Sequence, residues 1–365
     1  MGLVDKIAEL EEQMAKTQKN KATEAHLGLL KAKIARLKKE TDESRGSSGG
    51  SGGKSAGFDV KKAGNSTVVL IGLPSVGKSS LLNALTGTGS KIGAYAFTTL
   101  TCIPGMLHYN GAQIQILDLP GIIPGASTGR GRGREVIAVA RSADLVLFVL
   151  DVFDPNYLPK LRETLEYIGI RLDSGPPKIN IHVLPKGGLN IVFEKKQDQL
   201  NEKIVASILG EYGIFSANVT IRENATIDQL IDKLIGNRIY IPSLAVINKC
   251  DLVKEDFFKG IEFEHVEISA EKKLNIDKLK EAIYKKLKLM RIYTRSRFEG
   301  VDKDEPLIVR EGTTVEQACS KISRELKELF KSAKIWGPSA KHPGQRVGAS
   351  HILKEGDTFM VEKIR

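Results

Sequence analysis

Apolar residues recur at three-and-four spacing near the start of the chain. Ile7, Leu10 and Met14 form one stripe, and Leu27, Leu30, Ile34 and Leu37 form another, with both charge signs between them. The polar stretch from Thr17 to Thr23 separates the stripes, so the pattern predicts a helical hairpin whose apolar faces meet each other or a partner. Residues 46–57, GSSGGSGGKSAG, cannot bury a core and predict a flexible tether. From Ser66 the period changes. Strands over 67–72, 112–119, 144–152, 241–247 and 265–268 alternate with helices over 78–85, 134–141, 159–169 and 275–290. That order predicts an α/β fold with a doubly wound, mostly parallel sheet.

The stretch 174–237 interrupts the alternation with a pattern of its own. A strand over 178–184, a turn at Gly187-Gly188 and a returning strand over 189–193 come first. A helix over 198–212, a strand over 218–222 and a helix over 226–235 complete a small α+β module. Beyond Pro306, Leu307-Ile308-Val309, a helix over 315–330, glycine-rich turns and a strand over 358–364 predict a compact β-rich domain. The expected parse is a helical hairpin (1–45), a linker (46–64), a doubly wound domain (65–173 and 238–293), the inserted module (174–237) and a C-terminal domain (294–365).

At 365 residues the chain exceeds one ordinary domain. Its 55 lysines and arginines against 44 acids give a formal charge of +11, spread over several segments, which favours an anionic partner. Cys102, Cys250 and Cys319 lie far apart without metal-ligand spacing, which indicates neither a disulfide framework nor a zinc site. No apolar run approaches the ~20 residues that span a bilayer, the N-terminus is charged and periodic, and Lys6 stands where a myristoylation motif wants serine or threonine. The expectation is a cytoplasmic protein without a membrane partner.

Four motifs carry chemistry. Gly72-Leu73-Pro74-Ser75-Val76-Gly77-Lys78-Ser79 matches GxxxxGKS between a β-branched strand and a helix. Backbone amides of the loop and first helical turn, Pro74 through Ser80, are suited to cradle phosphates; Lys78 would reach the β and γ phosphates and Ser79 would ligate magnesium. Asp118-Leu119-Pro120-Gly121 closes the next predicted strand, where Asp118 would hold magnesium and the Gly121 amide would sense the γ phosphate. In Ala96-Phe97-Thr98-Thr99-Leu100, between them, Thr99 is the residue expected to close over the metal. Asn248-Lys249-Cys250-Asp251 follows the late apolar strand and fits a guanine reader. Asp251 would accept from the base, Lys249 would lay its stem against it, and a backbone amide of Ser269-Ala270 would meet the guanine O6.

The segments GLPSVGKSSLLNALTG, AYAFTTLTCIPG, LDLPGIIPGASTGRGRGREVIAVARSAD, NKCD and SAEKK together resemble the developmentally regulated GTP-binding proteins, a branch of the Obg superfamily of translation-factor GTPases. The resemblance covers the whole chain. It implies a P-loop G domain, an insert like the second domain of a small-subunit ribosomal protein, and a β-grasp TGS domain from about Thr294. It also implies ribosome association and a regulatory partner protein. Magnesium is the implied cofactor. Potassium is the second cation the family raises, but Ser75 stands where many potassium-activated relatives have asparagine, which counts against a potassium site.

Ile122 follows the DxxG where Ras-like enzymes carry the glutamine that positions water, so slow GTP hydrolysis, of order ~10⁻⁴ to 10⁻² s⁻¹, is expected. The Gly129-Arg130-Gly131-Arg132-Gly133-Arg134 run could meet transition-state charge or RNA phosphate. Arg291, Arg295 and Arg297 are expected to face ribosomal or other structured RNA. The leading expectation is a GTPase switch with GTP and GDP as ligands; the alternative is a GTP-dependent RNA-binding scaffold in which hydrolysis is incidental.

Overall fold

The computed structural model describes residues 3–18, 23–46, 62–87, 103–119, 139–296, 300–301 and 305–363. They belong to two compact units, Met1–Gly57 with Gly169–Tyr240, and Phe58–Ile168 with Ile241–Arg365. The first opens with the predicted hairpin, α1 (Leu3–Lys16) and α2 (Glu24–Gly46).

The second unit begins with β1 (Ser66–Ile71), in which all six residues are buried, as a β-branched run covered on both faces should be. It leads into α3 (Lys78–Thr86), which buries Leu81, Leu82 and Leu85. β2 (Ile103–Tyr109) and β3 (Ala112–Asp118) form an antiparallel hairpin across Asn110-Gly111, both at positive φ, the pair favoured in two-residue hairpin turns. β2 is absent from the sequence expectation because Pro104 and Gly105 interrupt its pattern, and an edge strand tolerates both. β4 (Leu145–Asp151) and α4 (Leu158–Tyr167) follow.

The inserted module in the first unit contains β5 (Ile170–Leu172), β6 (Ile179–Val183), β7 (Leu189–Phe193), α5 (Glu202–Glu211), β8 (Ala217–Ile221), α6 (Ile227–Ile235) and β9 (Ile239–Ile241). The strand expected to return beside β6 does not. β8, whose Ala217, Val219 and Ile221 are all buried, lies between them, antiparallel to β6 and parallel to β7. A face of α2 outside the predicted stripe meets this module. Ala32 of α2 joins the module's core, Lys31 pairs with Asp228 at 2.7 Å, and Arg36 donates to the Glu211 carbonyl at 2.6 Å. Asp232 on α6 is buried between Arg171, which it meets at 2.5 Å, and Arg238, at 2.8 Å, so its charge is matched twice.

The chain then re-enters the second unit with β10 (Ser243–Asn248), β11 (His265–Glu267) and α7 (Ile276–Lys286). The sheet runs β11-β10-β4-β1-β3-β2, parallel except for β2. The chain builds outward from β1 on both sides, which leaves a crevice at the carboxyl ends of the strands.

The helix expected over 275–290 stops at Lys286, because Lys288 turns at φ 51 and Leu289 opens β12 (Leu289–Ser296). The domain boundary expected at 294 therefore falls inside a strand. β13 (Gly300–Val301), β14 (Leu307–Arg310), α8 (Val315–Ile322), α9 (Arg324–Glu328), β15 (Phe330–Trp336), β16 (Gln345–Val347) and β17 (Thr358–Lys363) complete a β-grasp arrangement in the order β13-β12-β17-β15-β16, with β14 on β12. The single helix expected over 315–330 breaks at Ser323, an extended residue whose hydroxyl caps Leu326 at 3.1 Å, and β15 occupies the segment that follows. Leu289 and Ile308 are buried in the core of the parallel-sheet domain, and Arg310 meets Asp144, just before β4, at 2.8 Å.

Candidate functional site

Three loops converge at the carboxyl ends of β1, β10 and β11. The loop after β1 turns through Ser75 at φ 65 and Gly77 at φ 91 before α3 begins. Glycine is required at 77 for two reasons: the left-handed φ, and the Asn248 side-chain amide, with which a Cβ would collide. Pro74, Ser75, Ser79 and Ser80 are exposed, whereas Val76 is buried. Lys78 folds back over the loop, donating to the carbonyls of Gly72 at 3.0 Å and Leu73 at 2.8 Å. Burial pushes its ammonium below the ordinary lysine range, against the pull of Asp118.

Asp118 is the last residue of β3, and β3 pairs with β1, which brings it beside the start of α3. Its Oδ2 accepts from the Ser79 hydroxyl at 2.6 Å. Burial pushes the Asp118 carboxyl up, opposed by the Ser79 hydrogen bond and the Lys78 charge. Two hard oxygen donors thus stand together in a place where a carboxylate lacks full compensation. That donor set fits magnesium. Thr99 and Gly121 lie outside the described residues, as do Pro120 and the 129–134 run.

Asn248 holds the site together. Its Nδ2 donates to the Val76 carbonyl at 2.9 Å, and its Oδ1 accepts from the Ala270 amide at 3.0 Å, so one buried side chain joins all three loops. The backbone amides expected to meet a base oxygen are both engaged within the protein, Ala270 with Asn248 and Ser269 with the Leu274 carbonyl at 3.2 Å. Lys249, at φ 65, donates to the Ser75 carbonyl at 3.2 Å and to Asp151 at 3.0 Å. The Asp251 carboxyl is lowered from its ordinary value by a hydrogen bond from Ser269 and then by Lys272, 3.0 Å away.

Three family models cover the chain in sequence. One described as a 50S ribosome-binding GTPase matches residues 67–182, the C-terminal region of that domain matches 186–289, and the TGS domain matches 290–361. Developmentally-regulated GTP-binding protein 1 of Xenopus laevis is 47% identical over 366 residues, covering 99% of each chain. The chain belongs to the developmentally regulated GTP-binding protein family. Developmentally-regulated GTP-binding protein 2 homolog of Dictyostelium discoideum is likewise 47% identical over 366 residues, covering 100% of both chains. This family member is a GTP-binding protein and a GTPase, with a P-loop G domain and a C-terminal TGS domain, and its P-loop class generally uses magnesium. Among solved structures, the Schizosaccharomyces pombe YchF GTPase aligns with 83% of this chain and 99% of its own at a TM-score of 0.44 and 13% identity. Among the described residues, no helix is long and apolar enough to cross a membrane.

Two residues to which the motif reading assigns no role are built into this family member's site. Asp151 ends β4, caps the amides of Phe153 at 3.1 Å and Asp154 at 3.3 Å, and holds Lys249. Its signal was present as an acid closing a buried parallel strand next to the crevice. Lys272 pairs with Asp251 from the neighbouring loop, and only the fold brings the two together.

Proposed function

We propose that this protein is a nucleotide-dependent switch that hydrolyses GTP to GDP and phosphate in association with ribosomes or structured RNA in the cytoplasm. The observation that carries the nucleotide part is Asn248, whose one side chain ties the phosphate-type loop to both base-side loops. Lys78 is poised in that loop to exchange its two carbonyl partners for phosphate oxygens. Ser79 and Asp118, with Thr99, are the residues that would hold magnesium, which when bound neutralises phosphate charge. The Gly121 amide is the proposed sensor of the γ phosphate.

Asp251, kept ionised by Ser269 and Lys272, is the proposed acceptor for the N1–H and 2-amino groups of guanine. Adenine would leave that carboxylate unpaired, which favours guanine. Contact of the guanine O6 with the Ala270 amide would require exchange of the Asn248 bond. Ser75 offers only a hydroxyl as a side-chain donor, so weak potassium dependence belongs to the same reading. A regulatory partner protein and an RNA partner complete it, supported by the net charge of +11.

The test is phosphate release by the full chain and by Ser79→Ala, with and without ribosomes, alongside co-sedimentation in each nucleotide state. Ribosome-stimulated turnover and nucleotide-dependent sedimentation are expected. A rate that ribosomes never raise would point instead to an RNA-binding scaffold in which hydrolysis is incidental.

A further inference from the structure

The C-terminal sheet turns one face to its own core and another outward. Ile292, Phe359, Ala333, Ile335 and Val347 take the core side. Because side chains alternate along a strand, the neighbouring positions lie on the other face. Cross-strand register sets Tyr293, Thr358 and Trp336 in one row and Met360, Lys334 and Arg346 in the next. The two rings stand two strands apart, roughly 9–10 Å by strand spacing. Arg295, exposed at the end of β12, reaches across and lays its guanidinium over the Trp336 ring at 4.7 Å. Gly344 closes on the same ring, since a Cβ there would lie 3.4 Å from its Nε1. Among the described residues, the flat surface left exposed is the side of the guanidinium away from the ring.

Among the described residues, the charges on this face are not balanced. Glu362 accepts from the Ser332 hydroxyl at 2.6 Å and meets Arg346 at 3.0 Å and Lys334 at 3.5 Å, so its single negative charge is shared by two cations. Among the described residues, Arg295 stands on a ring and is paired with no acid. Cations in excess, spaced around an exposed planar group, complement a polyanion that carries planar groups of its own.

We infer that this face binds single-stranded RNA by stacking an unpaired base on the outer plane of the Arg295 guanidinium, with Lys334 and Arg346 meeting the flanking phosphates. The inference rests on the RNA reading above and deepens it by naming the surface and the chemistry. A duplex keeps its bases stacked inside and offers only its backbone, whereas unpaired bases stack on aromatic and guanidinium planes.

Trp336 is the only tryptophan in the chain, so its emission reports on this face without any substitution. The experiment titrates the full chain with fluorescein-labelled octauridylate, an RNA duplex of the same length, and polyglutamate as competitor, following anisotropy and, with unlabelled RNA, tryptophan emission. Octauridylate is expected to bind more tightly than the duplex and to change Trp336 emission with the same midpoint as the anisotropy. Arg295→Lys should weaken octauridylate binding about tenfold, because it keeps the charge and removes the plane. It should leave duplex binding and GTP hydrolysis unchanged. Binding without a change in emission, or equal loss for duplex and single strand, would overturn the stacking face but leave the RNA reading standing. No binding of any RNA would overturn both. Displacement by polyglutamate as effective as by unlabelled octauridylate would assign the face to an acidic protein segment.

Discussion

Gly77 and Asn248 illustrate how tightly single residues are specified. A methyl group at 77 would strike the Asn248 amide and would also sit at an unfavourable φ, so Gly77→Ala should weaken GTP binding at least about tenfold, measured by nucleotide titration. Asn248→Ala leaves the Val76 carbonyl and the Ala270 amide without their partner, each at a cost of about 1–3 kcal/mol if buried and unmet. Thermal stability and nucleotide affinity should then fall together; loss of affinity alone would show that the side chain contacts ligand without holding the loops. Asp251→Asn should shift preference from GTP to xanthosine triphosphate, because the new amide can donate to the 2-oxo group, and unchanged GTP affinity would remove Asp251 from base recognition. The GxxxxGKS loop and the NKCD segment are legible because their members are neighbours in sequence. The pairs Asn248 with Val76, Lys249 with Asp151 and Asp251 with Lys272 are not, since they arise only when parallel strands bring distant loops to one edge.

Among elements, β1, β4 and β10 could be read from the sequence because strands buried on both faces are apolar throughout. The edge strand β11 is legible as well, but other strands and pairings are not. β2 carries Pro104 and Gly105, β15 continues directly from α9, and the partner order of β6, β7 and β8 depends on packing that no local pattern records. The joint at the start of β4 was also invisible, and it can be tested. Asp144 accepts from the Thr67 amide at 2.8 Å and meets Arg310 at 2.8 Å and Lys62 at 3.4 Å. Burial, the largest influence, pushes its carboxyl up, but the hydrogen bonds from Arg310 and Thr67 outweigh it, so the net direction is down. A carboxyl depressed in the folded state stabilises fully above its unfolded value and loses that contribution as pH falls through the folded one. Asp144→Asn should therefore destabilise by about 1–3 kcal/mol at pH 7, and the difference should shrink below about pH 4. Urea melts of both proteins at pH 7 and pH 3.5 check this, and a difference independent of pH would mean the ion pairs contribute nothing.

At the scale of the molecule, the sequence marks a separate domain from about 294, yet the structure gives the second unit shared core residues. Leu289 and Ile308 bury in the core that also contains Val68, Leu70 and Val246, while Met290 and Ile292, on the same strand, enter the C-terminal core. One strand feeding two cores, reinforced by the Arg310–Asp144 pair, should make the G domain and the TGS domain unfold cooperatively. Trp336 lies on the outer face of the C-terminal sheet, and none of the described nucleotide-motif residues is in contact with it. A nucleotide that binds only the folded state stabilises whatever unfolds with its site, by about 2.7 kcal/mol at a hundredfold excess over Kd. Adding magnesium-GDP should then move the urea midpoint of Trp336 emission upward by the same free energy as the midpoint of a fluorescent nucleotide bound in the G domain. If the two midpoints separate and only the nucleotide probe responds, the domains unfold independently and the shared strand transmits no stability.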